Sequence, residues 1–251
     1  VKKILSSVLP PLVPFILVVL IAEFLSKKGL IAPYILPAPS DIFLSLKNDF
    51  TEYLLACRET LGAALIGLLL SALVGITLAI VLSSSRWIEK ALYPYATFFQ
   101  TVPIVSIAPL LVIWFGFGLR TVVISAFIVS VFPVLANTFS GLRSTDPALV
   151  DLFKLYGASK KDTLFKLKLP FAVPQILTGL KISAGLAMIG AVIGEFIAGG
   201  GLGGVIDASR TQQRLDKVFA AVLLASFSGV LIVFLLNVIA KYFLKRWRNL
   251  V

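Results

Sequence analysis

Few side chains in this 251-residue sequence are equipped for chemistry, and their scarcity narrows what the chain can be. It contains no histidine, so neither a His-Glu-x-x-His zinc site nor a histidine-based nucleophile triad can be built. Cys57 is the sole cysteine, which excludes an internal disulfide. No Gly-x-x-x-x-Gly-Lys-Ser/Thr run occurs, so nothing is offered to cradle nucleotide phosphates. What remains is one acid, Glu195, in an otherwise uncharged run from Ile182 to Ile206, and a polar set, Gln100, Thr101 and Ser106, around Pro103. Asn137 and a basic segment from Asp146 to Pro174 complete the inventory. These groups can line a path or form a docking surface, and they leave little basis for catalysis by this chain.

The elements that must position them are set by the intervals between charges. No Asp, Glu, Lys or Arg occurs from Ile4 to Ala22, Thr60 to Ser85, Ala91 to Leu119, Thr121 to Leu142 or Val218 to Ala240, and Ile182 to Ile206 is broken only by Glu195. Since about 20 mostly apolar residues cross a hydrocarbon core of roughly 30 Å, each interval is long enough to span a bilayer. With 59% hydrophobic residues, no single soluble core could bury so much apolar surface. The expectation is an all-α integral membrane protein, one domain over residues 1–251. Six transmembrane helices are predicted at about 8–25, 61–83, 94–115, 121–141, 176–198 and 218–240, with a cytoplasmic loop over 143–175.

Lysine and arginine favour the cytoplasmic side of short loops. With the N-terminus inside, 14 of the 23 basic residues fall in inner segments and 8 in outer ones, and Lys181 snorkels at the inner interface. Both termini are therefore expected in the cytoplasm. The net charge of +11 then follows from topology and attraction to anionic headgroups. The basic residues form no single stripe, so nucleic acid is not an expected partner.

Lys2 and Lys3 before an apolar run resemble a signal peptide, but Pro10, Pro11 and Pro14 interrupt the run and no small-x-small site precedes Glu23. A retained first helix is expected. Between the first two spans, Ser40 or Asp41 is positioned to cap a short helix carrying Ile42, Leu46 and Phe50, lying on the outer leaflet.

The interval Ala91 to Leu119 is too long for a straight crossing at about 1.5 Å per residue. Pro94, Pro103 and Pro109 are expected to break it, with Gln100, Thr101 and Ser106 supplying partners to the freed carbonyls. Two readings stand: a kinked, packed helix, or a translocation path lined by Gln100, Thr101, Pro103 and Ser106, with Asn137 and Glu195 as further candidates. An acid at membrane depth faces a bundle interior or a cavity rather than lipid. Glu195 is thus a helix-to-helix anchor or a gate, beside Gly190 and Gly194, whose spacing permits close helix approach. The run Gly199 to Gly204 is expected to be a flexible exit.

In the basic segment, Asp146 is placed to cap a helix with Pro147 at its first position. Leu149, Leu152, Phe153 and Tyr156 share one face, and Gly157 suits a left-handed stop. Ser159, with Asp162 three residues on, opens a second short helix. Pro170 and Pro174 are expected to end the excursion. This predicts a helical elbow with an apolar face and a basic rim, a pattern that an amphipathic helix on headgroups would share.

The elbow also resembles the loop of permease subunits of ATP-binding-cassette importers, written Glu-Ala-Ala, three residues, Gly, nine residues, Ile, one residue, Leu-Pro. Asp151, Leu152 and Phe153 stand at the triplet, and Gly157, Leu167, Leu169 and Pro170 follow in register. Asp151 keeps the charge, while Leu152 and Phe153 are bulkier than the two alanines. Leu36 to Asp41, Pro103 to Gly116, Phe132 to Asn137, Gly157-Ala158-Ser159 and Glu195 to Gly199 are similar to the branch serving nitrate, sulfonates, taurine and thiamine or flavin precursors.

That resemblance implies a type I importer permease fold with a cytoplasmic coupling helix between helices four and five. It also implies two permeases forming one pathway, expected to be two copies of this chain, and two ATPase subunits docked on Asp151, Leu152, Phe153, Tyr156, Gly157, Ala158, Leu167, Leu169 and Pro170. An extracytoplasmic solute-binding protein would deliver the solute, and ATP and Mg would reside on the ATPase, with no cofactor on this chain. A self-sufficient secondary transporter or channel is the alternative; such proteins commonly show internal repeats or several buried ionisable groups. This chain shows one such group, Glu195.

Overall fold

The computed structural model of the chain describes residues 2–248, with side chains described for residue 10 and residues 12–242. The described residues form helices joined by short connections: α1 (Lys2–Lys27), α2 (Pro39–Asn48), α3 (Phe50–Ser83), α4 (Arg86–Thr101), α5 (Ile104–Phe115), α6 (Leu119–Arg143), α7 (Pro147–Leu155), α8 (Lys160–Asp162), α9 (Leu169–Ala198), α10 (Gly201–Thr211) and α11 (Leu215–Arg248). A π-helical turn, Thr163–Lys168, joins α8 to α9, so that Lys160 to Ala198 is one continuous rod.

Four stretches are long and apolar enough to cross a membrane: Phe50–Ser83, Leu119–Arg143, Lys160–Ala198 and Leu215–Tyr242. The pair α4 and α5, bent by 97° at Val102 and Pro103, is apolar enough only when the two are taken together, as one broken span or as a re-entrant loop. The first predicted span falls on α1; the side chains of residues 2–9 and 11 lie outside the described set.

The helices α3, α6 and α9 form the centre. Lipid tails are as apolar as leucine, so burial of apolar surface does not drive helices together in a bilayer; close van der Waals contact between small residues does. A Cβ on Gly190 would stand 2.7 Å from the Ser125 carbonyl oxygen, and one on Gly194 would stand 2.9 Å from Val122 Cα, so α9 lies directly against the backbone of α6. Ala63, Ala64, Ala126, Ala184, Ala187 and Ala191 fill the rest of this seam. Three serines link the helices: the Ser71 and Ser130 hydroxyls lie 2.7 Å apart, and the Ser183 hydroxyl donates to the Ser130 carbonyl at 2.6 Å. Leucines such as Leu69 and Leu73 point outward, as a lipid-facing surface requires.

Several local expectations need correction. Of the prolines in the third interval only Pro103 breaks the chain; Pro94 and Pro109 remain inside α4 and α5. Pro170 and Pro174 do not end the loop either. The π turn before Pro170, in which Leu169 N–H bonds back to Leu164 O, absorbs the donor that this proline lacks and carries the helix through, and Pro174 lies inside α9. The cap of α2 is Ala38 rather than Ser40 or Asp41, because those side chains are engaged with α1. Ser40 donates its hydroxyl and its N–H to the Glu23 carboxylate at 2.8 and 3.0 Å, and Asp41 pairs with Lys27 at 2.9 Å. Phe50 begins α3, while Ile42 and Leu46 pack inward on Tyr53 and Ala221.

Candidate functional site

The elbow is built as its residues dictate. The Asp146 carboxylate accepts from Ala148 N–H at 2.8 Å and Pro147 opens α7. At the other end Gly157 takes φ +72°, its N–H bonding to Lys154 O and that of Ala158 to Phe153 O, both at 2.9 Å. This crossed pair is the Schellman termination, which needs a residue without a Cβ at the left-handed position. The Ser159 hydroxyl then accepts from Asp162 N–H at 3.0 Å and opens α8. Every cap of the elbow thus comes from the elbow itself.

Its apolar side chains are only partly covered. Phe153 is half-buried, but Leu149 and Leu152 are exposed, and Leu155 and Tyr156 are 85% and 83% exposed. Among the described residues, the helical neighbour of α7 is the π turn. Asp151 pairs with Lys154 at 2.8 Å on the solvent side. The motif residues therefore divide into two groups. Asp151 to Ala158 sit on the free elbow, whereas Leu167, Leu169 and Pro170 sit half-buried on the rod, with Leu169 packed against the cluster of Phe139, Leu142 and Ala172.

A second region is the bend between α4 and α5. Phe99, Gln100, Val102 and Ile104 face Phe132 and Pro133 of α6 and Leu186 of α9 across a cavity of about 290 Å³. Thr101 does not line it; its hydroxyl satisfies the Phe98 carbonyl at 2.7 Å. Pro103 caps α5 and Ser106 is exposed. Asn137 lies one turn from Pro133 and donates to its carbonyl at 2.8 Å. Five of the six path candidates are accordingly at this bend or next to it.

Glu195 is elsewhere, near the end of α9 and only 2% exposed. Its Oε2 accepts from Thr60 Oγ1 and from Gly203 N–H, each at 2.9 Å. Thr60 Oγ1 in turn accepts from Leu202 N–H at 2.9 Å, and Glu59 Oε2 accepts from Gly201 N–H at 2.8 Å. The three leading N–H groups of α10, which a helix cannot satisfy internally, are met by side chains of α3 and α9. Carboxylates suit the positive end of the helix dipole. The glycine run is not a flexible exit: Gly199, Gly200 and Gly201 all have positive φ, and a Cβ on Gly201 would fall on the Glu195 carboxylate. The sequence reading missed Glu59 and Thr60. The signal was the glycine run itself, which marks a close backbone approach as readily as flexibility.

The family described as binding-protein-dependent transport system inner membrane component matches residues 60–249. The chain belongs to this family. As an inner membrane permease of ATP-binding-cassette importers, it is a transport component, which decides against the self-sufficient transporter. It is 35% identical over 226 residues to the formylaminopyrimidine transport permease protein ThiX of Halalkalibacterium halodurans, covering 89% of this chain and 90% of that protein. It is 29% identical over 235 residues to the putative aliphatic sulfonates transport permease protein SsuC of Bacillus subtilis, covering 92% and 85%. Among solved structures, the permease aligns with a TM-score of 0.65 and 19% identity to a chain of a bacterial ABC transporter involved in the import of the acidic polysaccharide alginate, covering 96% of each. A chain of the inward-facing MetNI methionine ABC transporter aligns at 0.67 and 15%, covering 76% of this chain and 95% of that one. These two establish a shared fold, that of type I importer permeases.

Proposed function

We propose that the chain carries solute across the membrane as one of two identical permeases, with α7 as the helix on which an ATPase seats. The observation that supports this reading most is the elbow: a self-capped helix offering Leu152, Leu155 and Tyr156 to the outside, at the motif spacing from Asp151 to Pro170. Large apolar side chains held away from their own bundle mark a surface meant for a partner. In this arrangement α1 is the first of six spans, both termini and the elbow are cytoplasmic, and the bend around Gln100 lines the path. ATP and Mg bind the ATPase, and this chain binds no cofactor.

The solute is a small molecule of the nitrate, sulfonate, taurine or thiamine and flavin precursor kind, handed over by an extracytoplasmic binding protein. The likeness to ThiX favours the thiamine precursor class within that set. Closure of the ATPase pair drives the bundle between inward-open and outward-open states, which requires the ATPase to bind those states with different affinity.

Gly157→Glu tests the docking. A Cβ at Gly157 has open space around it, so the bundle stays intact. The left-handed stop is lost and a charge enters the surface, so the ATPase no longer co-purifies with the tagged permease while membrane insertion is unchanged. Normal co-purification and normal ATP-driven uptake in that variant would overturn the assignment.

A further inference from the structure

Between the elbow and the bend lies a cluster that neither region accounts for. Arg143, the last residue of α6, donates from Nη1 to Glu89 Oε1 of α4 at 2.6 Å. Its guanidinium also lies 5.4 Å from the ring centroid of Phe139, and that ring lies 5.3 Å from the ring of Tyr93 at a 33° tilt. Glu89 and Tyr93 are four residues apart on α4, as are Phe139 and Arg143 on α6. Residues at this spacing stack on adjacent turns of one helix face. The four side chains are therefore a two-rung ladder, one rung charged and one aromatic, with a cation–π contact along its α6 side.

The ladder has an anchored end at each side. Arg143 precedes the buried Thr145, and Asp146, the cap of α7, follows at once. Along α4 the same face continues from Glu89 and Tyr93 through Ala96, packed on the Phe139 cluster, to Gln100 at the cavity. At about 1.5 Å per residue the run from Glu89 to Gln100 is roughly 16 Å of continuous helix, Pro94 included. Among the described residues, α4 has α3 and α6 as its helical neighbours, so its position depends on few attachments.

We propose that the Glu89–Arg143 and Tyr93–Phe139 ladder is the strut through which movement of the elbow displaces the bend at Pro103. This rests on the docking of an ATPase at α7. A displaced elbow carries Arg143 with it, Arg143 pulls Glu89, and α4 transmits the shift as a lever to the residues around Gln100. Arg143 and Glu89 are positioning residues in this proposal, acting through α4 on the bend.

The test needs no knowledge of the solute. Val105, exposed on α5 just past the bend, becomes the site of a reporter thiol in a Cys57→Ala background. The permease is purified with its ATPase through a tag on this chain and placed in phosphatidylethanolamine and phosphatidylglycerol vesicles. The rate of maleimide labelling at the V105C thiol is compared with and without ATP and vanadate. With the ladder intact, nucleotide changes the rate by about fivefold or more, the scale of an ordinary allosteric coupling. In Glu89→Gln and in Arg143→Gln the change shrinks to about twofold or less, while the ATPase still co-purifies. Reversing the pair, Glu89→Arg with Arg143→Glu, restores most of it, which a loss of folding would not allow. Single variants that retain the ATPase and the full change overturn the strut, as does a reversed pair no better than the singles. A permease without the ladder substitutions that captures no ATPase overturns the docking reading itself, and the strut with it.

Discussion

The two helix starts that matter most in this permease are made in opposite ways. At α10 the leading N–H groups are capped from a distance, by Glu59 and Thr60, 142 residues away in sequence, and by Glu195. At α7 the cap is Asp146, two residues from the N–H that it serves. A helix capped from other helices is fixed to them, because moving it would strand buried polar groups at about 1–3 kcal/mol each. A helix that carries its own caps can move as a unit without breaking any. The α10 start is thus a joint that holds the C-terminal end of α9 closed against α3, and the elbow is a part without such ties.

The strongest way to break this contrast is at Gly201. Its φ of +53° already disfavours any other residue, and a Cβ there enters the Glu195 carboxylate. Gly201→Ala combines left-handed strain with overpacking and is expected to cost about 2–5 kcal/mol. Thermal unfolding in detergent measures it. Gly157→Ala has the strain alone, since open space surrounds that position, and is expected to cost about 1–2 kcal/mol. Equal losses at the two glycines would show that the α10 joint is not tightly closed.

Glu195 sharpens the same comparison. Glu195→Ala leaves the buried Gly203 N–H without its acceptor, while the Thr60 hydroxyl still reaches the Ala56 carbonyl at 3.0 Å, with an expected loss of about 2–3 kcal/mol. Glu195→Gln keeps one acceptor oxygen and is expected to lose about 1 kcal/mol. If the side chain only anchors, nucleotide-driven transport per folded molecule is unchanged in Glu195→Gln. Altered transport at full stability would instead make it a gate.

Much of this contrast was legible in the residues, and the part that was not has a physical cause. Asp146, Pro147, Gly157 and Ser159 act on neighbours one to four positions away, so local chemistry predicts the elbow's construction directly. Four of the six intervals likewise fall on helices long and apolar enough to cross a bilayer, because a bilayer constrains each segment by itself. The glycine run signals a close approach, but that Glu59, Thr60 and Glu195 make it was illegible, since this depends on the packing of α3 against α9, and no spacing within one helix encodes that. The same limit explains Glu23 with Ser40, and Glu89 with Arg143. Prolines were misread for a related reason: whether Pro94, Pro109 or Pro170 breaks a helix depends on whether neighbouring turns can absorb a missing donor. At Pro170 a π turn does so, and at Pro103 nothing does.

The smallest expected effect sits at the self-made cap. Asp146→Ala removes one acceptor from Ala148 N–H at an exposed helix start, where water replaces it, so the expected cost is about 1 kcal/mol, the usual value for a lost cap. Global unfolding should therefore shift little. Hydrogen exchange in α7 should rise several-fold while exchange in α9 and α10 stays as it was, because α7 shares no cap with them. Asp146→Asn, which preserves an acceptor, should return the elbow to its original protection. If exchange rose equally in α10, the two helix starts would be coupled, and the idea of a mobile elbow on a fixed joint would have to be abandoned.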